Sequence, residues 1–252
     1  MMQLRTWTIL LSLAWIVTGC YDSSLDATNS ITENRINYNF DSFDRSNQPN
    51  DPFRIVGITP SGVEWKVIVE YSGGCNEHSF YTWWEEDFFS EDPLQAGFSL
   101  SHDSNGDACE AVIRDTLVLN MEKVVGRDFL KASITIVNAR SQRRVNVDAD
   151  LARIAQTGSC ELAASIESNT CGLGIWDDQW LLLKDSIGAK GKVWIIPVKN
   201  DAGISLDAPA SGDYKIGVTF LFGHFNSNLT SECYVLDDAL AVPAQINCIS
   251  AN

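Results

Sequence analysis

The chain has 252 residues, 45% of them hydrophobic and 20% charged, enough to bury the core of one large or two small domains. Its 33 acidic residues against 18 Lys and Arg give a net charge of −15. That balance argues against nucleic acid and against electrostatic docking on anionic lipid, since both require clustered Lys or Arg.

Read from its start, the chain opens on a positive residue, Arg5, and an apolar run from Trp7 to Val17 that is too short to span a bilayer comfortably. The run closes on Val17-Thr18-Gly19-Cys20. This tetrapeptide resembles the lipobox of bacterial lipoproteins. The resemblance implies a signal peptide over residues 1–19, cleavage between Gly19 and Cys20, fatty acylation (palmitate) of Cys20, and a membrane partner reached through the lipid alone. Tyr21 stands where an Asp would, by the same resemblance, favour inner-membrane retention, so the outer membrane or the cell surface is the expected address. Beyond this run, no apolar stretch is long enough to cross a bilayer.

Residues 20–50 are rich in Asp, Asn and Ser and read as a disordered tether with a reach of roughly 30 Å, at ~5–6 Å per square-root residue. Residues 51–150 then read as a β-sandwich domain. Val63 to Tyr71 alternates, with Val63, Trp65, Val67, Val69 and Tyr71 on one face and mostly charges between. Further strands are expected at His78–Trp84, Phe98–Asp103, Ala108–Leu119, Ala132–Asn138 and Arg144–Ala149. Ser104-Asn105-Gly106-Asp107 predicts a two-residue type I′ hairpin, and the basic cluster Arg140-Ser-Gln-Arg143-Arg144 a solvated hairpin turn. Strands at this spacing predict an antiparallel sandwich of immunoglobulin-like kind.

A connector over Leu151–Thr157 leads to a second unit, residues 151–252, with strands expected at Cys160–Ile166, Trp180–Lys184, Val193–Lys199, Tyr214–Phe222 and Pro243–Ile249. Five short strands with Gly-rich turns predict a small OB-like barrel. The fold class is therefore all-β, and the lack of long 3.6-residue periodicity speaks against an α/β enzyme. Gly73 to Phe80, His102 to Cys109, and Gly174 to the leucines after Trp180 resemble recurring segments of β-rich envelope lipoproteins, from which no chemistry carries over.

With Cys20 taken by lipid, Cys75, Cys109, Cys160, Cys171, Cys233 and Cys248 form an even set suited to three disulfides in an oxidising compartment. Fifteen pairings are possible, and sequential pairing is the expectation. No CxxC or HxxxH spacing suggests a structural metal. Across the expected hairpin His102 would face Cys109, and a Cys75–Cys109 bond would bring His78 close. His78 and His102, with Glu77, Asp103 or Asp107, would then offer two histidines and a carboxylate to a metal. The competing reading is a pair of buried imidazoles, because His102 shares a strand face with Phe98 and Leu100, and His78 with Phe80 and Trp84.

Asp103-Ser-Asn105-Gly-Asp107 begins like a calcium loop, but Ala108 and Arg114 stand where a glycine and a glutamate are needed. No nucleophile elbow occurs. Glu85-Glu86-Asp87 and Asp177-Asp178 read as acidic turns rather than glycosidase pairs. Trp83 and Trp84, adjacent in a strand, must point to opposite faces, and Trp176 sits beside Asp177 and Asp178 in a loop. A solvent-facing Trp beside carboxylates would make a carbohydrate platform. The function expected is a non-catalytic module for a protein or glycan partner, without a cofactor. The alternatives are a metal-dependent hydrolase using His78 and His102, and a structural spacer.

Overall fold

Alternation along β3 (Glu64–Gly73) organises the N-terminal half: Trp65, Val67, Val69 and Tyr71 are buried and Glu64 and Lys66 exposed, as a one-sided strand requires. The computed structural model describes residues 36–91, 94–154, 159–168, 173–176, 179–184, 192–199, 207–223 and 240–251. β3 lies between β2 (Arg54–Thr59) and β7 (Ala111–Asn120), and pairs with β7 in ten unbroken steps from Glu64↔Asn120 to Gly73↔Ala111. The facing sheet runs in the order β1 (Ile36–Ser42), β4 (Ser79–Trp84), β6 (Leu94–Asp103), β8 (Ser133–Asn138), β9 (Arg144–Val147), with the two-residue β5 (Ser90–Glu91) on β6. Phe80, Phe98, Leu100, Ile134 and Ile136 from this sheet meet the inner row of β3 in one core.

The protein is thus all-β, a two-sheet sandwich followed by a five-stranded barrel. Within the sandwich, β1 pairs with β4 and β6 with β8 in parallel, so its strand order departs from the purely antiparallel, immunoglobulin-like expectation. Three further corrections concern local readings. The stretch read as tether contains β1, whose polar composition hid a short alternation: Ile36 is buried, and the Tyr38 hydroxyl accepts the Asn120 N–H at 3.0 Å. β2, interrupted by a bulge between Ile55 and Gly57, gave no clear period. The Asn105-Gly106 turn forms, with φ of 53° and 70° and Asp107 N–H donating to the Ser104 carbonyl at 3.0 Å. It does not make a hairpin ladder, because β6 and β7 enter different sheets. The basic cluster at Arg140 does form a hairpin turn, between β8 and β9.

After α1 (Met121–Val125), which lies between β7 and β8, and the connector α2 (Ala149–Ile154), the chain forms β10 (Leu162–Ser168), β11 (Gln179–Leu183), β12 (Val193–Val198), β13 (Gly212–Phe220) and β14 (Leu240–Ala251). They close in the order β10-β11-β12-β14-β13, with only β12 and β14 parallel, an OB-like barrel. Ile166, Leu181, Ile195, Val218, Phe220 and Val242 fill it, and they belong to the same hydrophobic cluster as the sandwich core. Sandwich and barrel also join through the backbone, where Ile58 and Phe222 exchange hydrogen bonds of 2.8 and 3.0 Å.

Cys75–Cys109 is bonded as expected. The rest of the sequential pairing is corrected, since Cys160 is bonded to Cys248 with Cα atoms 5.8 Å apart. The reason is barrel closure: β13 pairs with both β10 and β14, so residues 88 apart in sequence meet at the seam. Cys171 and Cys233 lie outside the described residues. At the seam a Cβ on Gly217 would come within 2.8 Å of the Ser159 carbonyl oxygen and 2.9 Å of Cys248 Sγ. Gly217→Ala should therefore destabilise the protein by about 1–3 kcal/mol through overpacking, and Cys160→Ala with Cys248→Ala by about 2–5 kcal/mol. Chemical denaturation checks both; a Gly217→Ala midpoint equal to wild type would refute the crowding.

Candidate functional site

Chemistry-bearing side chains gather at the end of the sandwich where the turn after β6 meets the loop after β3. Cys75–Cys109 ties the two segments together. Asp107 fits between them: its Oδ2 accepts the N–H groups of Gly74, Cys75 and Asn76 at 2.8, 2.8 and 2.9 Å, and its Oδ1 that of Cys109 at 2.8 Å. The Asp107 side chain is fully shielded from solvent. The Asn76 and Cys109 N–H groups hold its carboxyl well below the usual carboxylate range, against the upward push of burial, with His78 adding to the effect.

The antiparallel pairing of Phe80 with His102 brings the residue two before Phe80 onto the same face as His102. His78 Nε2 lies 3.1 Å from Asp107 Oδ2, and His78 Nδ1 lies 2.8 Å from His102 Nε2. An ionised Asp107 can only accept, so His78 carries its proton on Nε2. His78 Nδ1 and His102 Nε2 then face each other with room for one proton between them. His102 Nδ1 is buried and makes no hydrogen bond among the described residues. Tyr71 stacks on His78 with ring centroids 4.6 Å apart, and Phe80 on His102 at 4.8 Å. His78 is 2% and His102 1% exposed.

Burial, then the neighbouring His78, pushes the His102 pKa down to about 4, despite the opposing Asp51 carboxylate and the backbone at Pro52 and Asp51. His102 is therefore neutral at pH 7. Burial pushes the Asp51 carboxyl upward, but the Ser104 hydroxyl and N–H, at 2.6 and 2.8 Å from its Oδ2, prevail and lower it.

Of the five residues suggested for a metal, three come together, but in a row. Imidazole nitrogens point in opposite directions; His78 spends one on His102 and the other on Asp107, so the three cannot converge on one ion. Glu77 is exposed, and Asp103 accepts the Asn105 N–H at 2.8 Å. Cys75, Cys109 and Asp107 do offer atoms within 4.8 Å of one another, but the two sulfurs are bonded to each other. The row can relay a proton internally, yet its members are shielded from solvent. The nearby Ser104 hydroxyl is engaged by Asp51 and the Tyr71 hydroxyl by Asp115.

The carbohydrate platform is also corrected. Trp83 is 8% exposed, donates its indole N–H to Ser101 Oγ at 2.8 Å, and has the Phe43 and Tyr81 ring centroids each 6.0 Å from its own. Trp84 is half-buried against the core and Phe89. Trp176, 6% exposed, belongs to the core. Asp177 and Asp178 lie outside the described residues. Glu85 accepts the Ser99 hydroxyl, and Glu86 and Asp87 open a 3-10 turn.

Sequence reasoning missed Asp51, Tyr71 and Gly73. The Gly73-Gly74 pair carried the signal: a Cβ at Gly73 would run into the His78 ring and lie 3.0 Å from Asp107 Oδ2.

No protein-family model matches the chain, and comparison with curated proteins gives no match. Among solved structures, it is similar to a NigD-like immunity protein from Bacteroides caccae (18% identity, TM-score 0.33, covering 44% of this chain and 58% of that one). It is also similar to a toxin-related protein from Parabacteroides distasonis (11% identity, TM-score 0.32, covering 47% and 64%). The chain spans less than two thirds of either, and likenesses of this size carry no argument about function.

The buried row predicts acid sensitivity. A histidine whose folded pKa lies below its ordinary 6.5 contributes stability that is complete above about 6.5 and lost as pH falls toward about 4. The loss is about 3 kcal/mol, at 1.36 kcal/mol per unit. Asp51 and Asp107, both lowered, add losses only as pH falls below the ordinary carboxylate range. Denaturation midpoints measured at intervals from neutral pH downward should therefore decline before the carboxylates titrate, and His102→Gln should flatten that early decline. In addition, Gly73→Ala should cost about 1–3 kcal/mol and broaden the His78 ring signals in NMR spectra; unchanged rings would contradict the close approach.

Proposed function

We propose that this chain is an exported envelope protein, anchored by an acylated Cys20 at the bacterial outer membrane or cell surface, whose disulfide-fixed β body is a non-catalytic module that binds a protein partner. The observation that carries the non-catalytic part is the sealed His78–His102–Asp107 row, in which the groups best suited to acid–base or metal chemistry are spent on one another and on backbone N–H groups. A hydrolase needs its base within reach of a substrate proton, and these rings are shielded.

The address rests on the lipobox-like Val17-Thr18-Gly19-Cys20 and gains support from two disulfides, which persist in oxidising compartments. Three fatty chains would make the anchor effectively permanent, since stable attachment takes about two membrane signals. A glycan partner is the weaker form of the reading, because Trp83 and Trp176, which would stack on sugar, are packed inside.

Two measurements test the proposal. The intact mass of the mature protein should correspond to a chain beginning at Cys20 with diacylglyceryl and N-acyl groups, and Cys20→Ser should leave the unprocessed mass. A mature N-terminus elsewhere, or an unmodified Cys20, would sink the anchor. Hydrolytic turnover by the purified protein that disappears in a folded His102→Gln variant would sink the non-catalytic reading.

A further inference from the structure

The three-stranded sheet ends at β2 on one side and at β7 on the other. The β2 edge is closed at Ile58, which exchanges backbone hydrogen bonds with Phe222. Among the described residues no strand pairs with the outer edge of β7. Met121 N–H donates to the Val63 carbonyl at 2.8 Å, and the unbroken register carries that alternation along the strand. Odd-numbered residues of β7 therefore turn their backbone groups toward β3, and even-numbered ones away from it. Of the outward N–H groups, that of Asn120 is taken by the Tyr38 hydroxyl and that of Thr116 by Asp115 Oδ1 at 2.7 Å. Those of Val112, Arg114 and Val118 have no hydrogen-bond partner among the described residues.

Edge strands are usually guarded against pairing by proline, lysine or a bulge. β7 has none of these over its ten residues. It carries Val112, which at 76% is the most exposed large hydrophobic side chain among the described residues. Ile113 and Leu117 pair with Tyr71 and Val67 of the inner row, so Val112, Arg114, Thr116 and Val118 share the outer face. We propose that β7 pairs antiparallel with β7 of a second copy of this chain, about a two-fold axis at Asp115, joining the two three-stranded sheets into one. Val112 of each copy then exchanges both backbone bonds with Val118 of the other and covers its side chain there, while Arg114 N–H donates to the Thr116 carbonyl. The neighbouring registers fail. Moving the axis to Arg114 sets two guanidinium groups against each other, and moving it to Thr116 calls on Asn120, whose N–H is already taken.

A second copy is favoured as the occupant because one strand supplies both halves of the match: its free donors at Val112 and Val118 meet each other's carbonyls, and its exposed valine meets an apolar residue of the same outer row. Two repulsions oppose it. Each copy carries a net charge of −15. Asp115, whose Oδ2 accepts the Tyr71 hydroxyl at 3.3 Å, faces Asp115 of the second copy at the axis, and like charges directly opposite weaken a strand pair. Salt screens such repulsion, so the dimer tightens as salt is added, the reverse of an association built on ion pairs. The contact uses the same edge on both copies, and assembly stops at the dimer.

The test is sedimentation of the full chain in detergent micelles over rising protein concentration, at low and at physiological salt, with residue-resolved amide hydrogen exchange on the same samples. A monomer–dimer equilibrium should appear and shift toward dimer with salt. Exchange at Val112, Arg114 and Val118 should slow as the dimer forms, while Leu117 and Leu119, already bonded to β3, stay unchanged. Arg114→Pro removes an outward N–H and spares the ladder to β3, and Val112→Lys removes the apolar contact while leaving the backbone alone. Each should weaken the dimer about tenfold or more; Val112→Lys, at an exposed position, keeps the test decisive if the proline variant does not fold. A folded variant that dimerises like wild type overturns the proposal. A chain that is monomeric at every concentration and salt overturns the second copy as occupant, in favour of a strand from another protein. A dimer with unchanged exchange at the three outward amides, an association that loosens with salt, or species larger than the dimer overturns the two-fold pairing of β7.

Discussion

A carboxylate removed from water must be given donors, and the end of the sandwich is arranged around that requirement at Asp107. Burying an unpaired charge costs several kcal/mol; here four backbone N–H groups and one imidazole remove the deficit. Satisfying it forces residues 74–76 to curl around one oxygen, brings Cys109 close enough to Cys75 for their bond, and assigns the proton on His78. The neighbouring His102 ring is neutral because a charge in that apolar setting, buried against Phe80 and beside His78, is disfavoured. Loop shape, cross-link and tautomers thus share one electrostatic cause.

The same economy explains why histidines beside carboxylates did not produce a metal centre. A metal needs lone pairs that converge, whereas a hydrogen-bonded row needs donors and acceptors that alternate. The β4–β6 register places His78 and His102 edge to edge for the second arrangement. The two arrangements draw on the same residue types at the same spacing, and only the direction of the side chains separates them.

What was legible in the sequence follows from the range of the forces involved. β3, β6 and β8 could be read because apolar residues facing the core alternate with polar ones on the other face, a period of two. The Asn105-Gly106 turn could be read because positive φ is a local demand. β1 was hidden, since Asn37, Asn39 and Asp41 have low strand propensity and its pairing with β4 joins residues more than forty positions apart. The proximity of His78, His102 and Cys109 was foreseen by way of a hairpin ladder that does not exist; the turn brings them together although its strands diverge. The tryptophans misled because a segment remote in sequence, carrying Phe43, covers Trp83. The Cys160–Cys248 pair depends on barrel closure, which no local pattern encodes.

That last pair has a consequence for biogenesis. Under the export proposed above, a chain delivered from its N-terminus would bring Cys171 and Cys233 into an oxidising compartment before Cys248, so Cys160 would meet two other thiols before its native partner arrives. Any early bond must be undone by thiolate attack through a mixed disulfide. The yield of correctly sealed barrel thus depends on the disulfide-shuffling capacity of the compartment as well as on the stability of the finished fold.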